Sequence, residues 1–170
     1  RMAFTGSGLV EIPAGLFANN TKCETFEQTF SKTKIKSIPA DVFKGCSSVN
    51  SFMSCFNGCS ELESIPADLF KNSGAQGVVY GKRGAGMNMI FQGCSSLKEI
   101  PAGILDGFTR ITALNSIFNG CSSLESIPSD LFKDAAAVTS FSSAFSGCTA
   151  LKSIPAGVFK GLAKVTSFAG

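Results

Sequence analysis

Apolar side chains return along this chain in a fixed order around six Ile-Pro pairs: Ile12-Pro13, Ile38-Pro39, Ile65-Pro66, Ile100-Pro101, Ile127-Pro128 and Ile154-Pro155. The proline-to-proline spacings are 26, 27, 35, 27 and 27 residues. Three residues before each Ile stands Leu9, Ile35, Leu62, Leu97, Leu124 or Leu151. Four residues after each Pro stands Phe17, Phe43, Phe70, Leu105, Phe132 or Phe159. A later position holds Phe26, Phe52, Met87, Leu114, Phe141 and Phe168, and four residues beyond all but the last come Phe30, Phe56, Phe91, Phe118 and Phe145. A constant period of this size is the mark of a solenoid, because one such unit cannot bury its apolar positions alone while stacked copies can.

The pattern predicts an α/β repeat solenoid of the leucine-rich-repeat type, with one short parallel strand per repeat of 26–27 residues and helical or 3₁₀ segments on the convex side. The run Leu-x-Ser-Ile is short and closed by Pro, as a strand at the start of a unit would be. Val138, Phe141, Phe145 and Cys148 lie at i, i+3, i+7 and i+10, which is helical spacing, and Gly58, Gly93, Gly120 and Gly147 suit a left-handed residue closing that helix. The residues after each Pro predict a further helical turn. Asp41, Asp68 and Asp130, two residues after their prolines, fit helix-start positions favoured by the dipole. We read 1–170 as a single solenoid of six repeats, with an insertion near 74–86 in the third, and expect it to be a piece of a longer array because neither end carries a polar cap.

Composition narrows the function. The chain has 170 residues, 44% of them hydrophobic and only 16% charged, with a net charge of +3. That charge is too small and scattered for a nucleic-acid footprint. Histidine is absent, which removes the commonest general base and metal ligand. Sixteen Phe stand against one Tyr and no Trp, so aromatic mass serves packing and not a polar recognition surface. No apolar run is long enough to span a membrane.

The run Phe118-Asn119-Gly120-Cys121-Ser122-Ser123-Leu124-Glu125-Ser126-Ile127-Pro128, nearly repeated at 91–101 and 145–155, resembles the BspA-like leucine-rich repeats of bacterial surface proteins. It also looks like a repeat found in surface lipoproteins of mycoplasmas. The resemblance implies a secreted or cell-surface bacterial protein, with adhesion to host proteins or other cells as the usual suggestion, and it implies no catalytic residue. This sequence departs from the family's shorter unit through the added Ala-x-Leu-Phe segment, and its first two copies lack the Gly-Cys pair.

Seven cysteines leave three readings open. Cys59, Cys94, Cys121 and Cys148 share one repeat position, and Cys23, Cys46 and Cys55 replace apolar residues of other copies, which fits buried free thiols. A disulfide between stacked neighbours is the second reading, and a zinc site the third, although Cys55-x3-Cys59 is poor spacing for it. We expect no cofactor and no metal.

Two sets of residues are candidates for interaction. The insertion, 73–86, carries five Gly, the only Tyr and a Lys-Arg pair, so Tyr80, Lys82 and Arg83 are candidate recognition residues on a surface loop. Its Gly-Lys-Arg-Gly run has the wrong spacing for a phosphate loop. One position before the strand Ser reads Lys36, Glu63, Lys98, Glu125 and Lys152, which in an in-register sheet alternates in sign from copy to copy. This ladder supports the register on a solvated face or recognises a partly polar partner. The expected function is a non-catalytic module binding a host or bacterial surface protein or glycan, with a structural spacer as the alternative. Self-association through the uncapped ends is a further expectation.

Overall fold

The computed structural model describes residues 2–71, 73 and 86–170. The chain winds into coils that stack in parallel, each residue lying against its repeat equivalent. We number them by their prolines: coil 1 is 9–34, coil 2 is 35–61, coil 3 is 62–96, coil 4 is 97–123, coil 5 is 124–150 and coil 6 is 151–170, with 2–8 forming a partial turn before coil 1.

The segment predicted as helix does something else. After Phe26, Phe52 and Phe141, a single turn closes with the N–H of Thr29, Cys55 and Ala144 donating back to the Phe carbonyl at 2.9–3.1 Å. The third residue of each Phe-x-x-x-Phe run then sits at positive φ: Gln28 at 54°, Ser54 at 55°, Met89 at 57°, Ser116 at 54° and Ser143 at 55°. That conformation stops a right-handed helix and turns the following N–H groups sideways. In coil 1, Phe26, Gln28, Phe30 and Lys32 donate to the carbonyls of Ser51, Met53, Cys55 and Asn57 of coil 2 at 2.7–3.0 Å. Coil 4 repeats this from Leu114, Ser116, Phe118 and Gly120 to Ser140, Ser142, Ala144 and Ser146 of coil 5. Alternate backbone donors are thus satisfied by the neighbouring coil, where a helix would satisfy them internally.

The expected strand at Leu-x-Ser-Ile is reduced to local contacts. Glu63 donates to the Lys36 carbonyl and Glu125 to that of Lys98, both at 2.9 Å, and one parallel bridge joins Glu99 to Ser126. The other parallel bridges, Thr25 to Ser51, Ala113 to Ser140 and Ser140 to Ser167, lie just before the Phe-x-x-x-Phe run. Among the described residues there is no α-helix, 3₁₀-helix or extended strand, only turns and isolated bridges. After each proline the predicted helical turn is replaced by successive turns: the proline carbonyl accepts the N–H three residues on, as in Pro39 to Val42 and Pro128 to Leu131, and a second turn follows, as from Asp41 to Lys44 and from Asp130 to Lys133.

Stacking puts like side chains over like. Phe4, Phe30, Phe56, Phe91, Phe118 and Phe145 form one continuous column, with successive ring centroids 5.5–5.8 Å apart and ring planes 4–16° from parallel. A second column runs through Phe17, Phe43 and Phe70 at 6.4 Å and resumes at Phe132 and Phe159 beyond Leu105. Rings of different columns meet at an angle, as Phe43 does with Phe26 at 4.6 Å and Phe52 at 4.8 Å. Offset stacking and tilted contact are the arrangements the ring quadrupole favours. The use of Phe, not Tyr, follows, because no hydroxyl then needs a partner inside the stack.

Candidate functional site

The exposed charged column is where the architecture brings candidate residues together. Lys36, Glu63, Lys98, Glu125 and Lys152 occupy one position in coils 2 to 6, and all five are exposed. The backbone bonds from Glu63 to Lys36 and from Glu125 to Lys98 fix two neighbour pairs directly. Just before the column, Ser96 at the end of coil 3 donates to the carbonyl of Ser60 at the end of coil 2, and Ala150 at the end of coil 5 donates to that of Ser122 at the end of coil 4. Among the described residues, none of the five side chains is in an ion pair. Register is therefore held by the backbone and the core, and the charged heads remain turned to water. Ser37, Ser64, Ser126 and Ser153, exposed in the next position, widen this polar strip. Tyr80, Lys82 and Arg83 lie outside the described residues.

The ion pairs sit elsewhere. Lys133 reaches Asp106 of the preceding coil at 2.9 Å and Asp130 of its own at 3.7 Å. The hydrogen bond from Lys133 to Asp106 is the main cause holding that ammonium above its ordinary pKa. The aspartates expected to start helices do not, since no helix is there. Asp41 instead accepts the Gly15 N–H of the coil before it at 3.1 Å. Asp134 does the same for Gly107 at 2.8 Å. These side chains tie one coil's bend to the next, a role that repeat alignment alone does not reveal. A cavity of about 350 Å³ opens between coils 3 and 4, and Asp68, Lys71 and Asp106 bring charge to its wall.

The four cysteines at one repeat position form a second column with a structural task. Each thiol of Cys59, Cys94, Cys121 and Cys148 donates to the Phe carbonyl of the preceding coil: Phe30 at 3.0 Å, Phe56 at 3.3 Å, Phe91 at 3.2 Å and Phe118 at 3.2 Å. Thr33 takes their place in coil 1, and its hydroxyl donates to Phe30 at 2.8 Å. Burial pushes the Cys121 thiol up to about 12 and lifts Cys55 and Cys94 well above the ordinary thiol value. These groups stay protonated and are poor nucleophiles. All seven cysteines are free thiols, and among the described residues no cluster of three or more His, Cys, Asp or Glu is set to hold a metal. Among those residues, too, no helix is long and apolar enough to cross a membrane.

No family model and no curated protein sequence matches this chain. It is similar to solved structures of leucine-rich-repeat proteins. One is a leucine-rich cell surface protein from Faecalibacterium prausnitzii, 24% identical over 79% of this chain and 34% of that one, with a TM-score of 0.35. Another is the Toll–Spatzle complex of Drosophila, 15% identical over 79% of this chain and 18% of that one, with a TM-score of 0.44. A third is a leucine-rich-repeat protein from Bacteroides ovatus, 19% identical over 88% of this chain and 42% of that one, with a TM-score of 0.28. The chain thus spans about a third of the Faecalibacterium protein's length.

Proposed function

We propose that this chain is a non-catalytic interaction module of a bacterial surface or secreted protein, binding a protein or glycan in an adhesion-type role through the exposed charged strip. The observation that carries this reading is the column Lys36, Glu63, Lys98, Glu125 and Lys152, five exposed charges held in register with no ion pair among the described residues. A solenoid core fixes the backbone, so these side chains form a regular array that a partner meets without first ordering it. The alternating sign gives little net field, so the strip would select by local complementarity more than by long-range steering. The likeness of the Phe-x-Gly-Cys-Ser-Ser-Leu-x-Ser-Ile-Pro run to BspA-like surface repeats supports the surface role.

The test is an array of mucins, matrix proteins and glycans probed with the native chain and two variants. One variant carries Lys36→Glu, Lys98→Glu and Lys152→Glu together, and the other lacks 76–84. We expect a saturable ligand lost in the triple variant and kept in the deletion. Loss in the deletion alone would move the site to the insertion, around Tyr80, Lys82 and Arg83. Silence across the array would favour a spacer that sets distance and binds nothing.

A further inference from the structure

We infer that the charged strip takes a linear acidic polysaccharide with a carboxylate on every second sugar, laid along the stack. The inference rests on the strip being the binding site, as proposed above, and names the class of ligand. Two features carry it: the sign of the column reverses at every coil, and the backbone holds that reversal at a fixed spacing. Glu63 is bonded to Lys36, and Glu125 to Lys98, through backbone hydrogen bonds of 2.9 Å. Backbones joined in this parallel way stand about 4.8 Å apart. Lys36, Lys98 and Lys152 therefore recur at about 10 Å along the stack, with Glu63 and Glu125 midway between them.

All five are exposed, and among the described residues none is in an ion pair, so each charge is open to a partner. In coil 2 exposed Lys34 adds to the charge of Lys36, and in coil 3 half-buried Glu61 adds to that of Glu63. Coil 4 is weaker, since Glu99 stands exposed beside Lys98. Val10 holds the place in coil 1, so the charged part runs over coils 2 to 6.

A partner in register needs negative charge at the lysine period and a different chemistry midway. An extended peptide does not offer this: side chains on one face recur at about 6.7 Å, and a residue about 10 Å away points to the other face. A polyproline helix returns to the same face after about 9 Å, but it has no residue on that face midway. Such helices are also recognised by aromatic grooves, and the strip carries no aromatic side chain. A pyranose ring of an extended β-linked polysaccharide advances by about one coil spacing. Where acidic and neutral sugars alternate, a carboxylate falls over each Lys and a neutral sugar over each Glu. Glu63 and Glu125 then accept from hydroxyl or amide N–H groups of the neutral sugar, since an ionised carboxylate only accepts. A carboxylate on every sugar would meet those two glutamates and be repelled, so the column selects the alternating polymer over the uniformly acidic one. The contacts are exposed and individually weak, so affinity comes from their number and falls as salt rises.

The experiment is isothermal titration calorimetry of the 170-residue chain at low and high salt with three polymers. Hyaluronan alternates glucuronate with N-acetylglucosamine, polygalacturonate has a carboxylate on every sugar, and dextran is neutral. We expect saturable binding of hyaluronan, weakened by salt and at least about tenfold tighter than that of polygalacturonate, and no binding of dextran. Lys36→Gln, Lys98→Gln and Lys152→Gln together should weaken it by at least about tenfold. Glu63→Lys with Glu125→Lys makes the column uniformly basic and should turn the preference to polygalacturonate. All five positions are exposed, so both variants should fold, and an unchanged circular dichroism melt checks this. A native chain that binds neither acidic polymer, or both equally, would overturn the inference, as would a Glu→Lys variant that keeps the native preference. A protein ligand found instead, and lost on reversal of the three lysines, would overturn the inference and leave the strip as the site. Hyaluronan binding that survives the lysine variant would overturn both.

Discussion

At the scale of single residues, positive φ at non-glycine positions is the feature that most distinguishes these coils. Ser116 at φ 54° lies in the middle of the stack, in a conformation that L-residues hold at a cost of roughly 1–2 kcal/mol. Ser116→Gly should therefore stabilise the chain by about 0.5–1 kcal/mol in urea unfolding, while Ser116→Val should destabilise it by more. Gly120, at φ +74° with the Gly93 backbone 3.6 Å from where a Cβ would stand, is the converse case. Gly120→Ala should cost about 1–2 kcal/mol. Cys121 gives a pH test. Burial raises its pKa to about 12 from the ordinary thiol value of 9.0, so its contribution is fully present below pH 9 and is lost as pH rises from there toward 12. Unfolding free energy measured from pH 8 to 11 should fall, and Cys121→Ala should flatten part of that fall.

At the scale of elements, the repeat was legible in the sequence and the elements were not. Which positions face inward followed from the six aligned copies, and Phe30, Phe56, Phe91 and Phe118 are buried as the alignment requires. The spacing of Val138, Phe141, Phe145 and Cys148 predicted a helix because one tight turn followed by a left-handed residue returns side chains to the core at nearly the intervals a helix does. Nothing in the identity of Ser143 announces positive φ, since Gln28, Met89 and Ser116 hold the same place. Glycine was more informative: Gly58, Gly93, Gly120 and Gly147 are left-handed, as read, although they close a bend and not a helix. The cross-coil roles of Asp41 and Asp134 were invisible because their partners are bare N–H groups of glycines 26 and 27 residues away. The charged column could be located by alignment alone, but whether its side chains pair could not. The ring columns carry the energetic weight. Phe118→Ala, in the closed centre of its column, should cost about 3–5 kcal/mol, and Phe4→Ala, at its open end, clearly less, as read by chemical denaturation.

At the scale of the whole molecule, the proposed function would have the stack separate stability from recognition. The interior holds the coils in register, and the strip of Lys36, Glu63, Lys98, Glu125 and Lys152 is free to vary in chemistry. Reversing the three lysines makes the column uniformly acidic. Like charges side by side cost about 0.2–1 kcal/mol per pair, and the low end applies here because the native heads form no ion pair among the described residues. The triple variant should therefore stay folded, with loss of binding as its main effect. This separation depends on the coil-to-coil ladder, and that is the claim to test most directly. The measurement is backbone NMR of the 170-residue chain in solution. The account predicts no helical run of secondary shifts over 138–148 and left-handed φ at Ser116 and Ser143. It also predicts cross-coil contacts between the amide of Phe118 and Ala144. A continuous helix over 138–148 with no such contacts would contradict it.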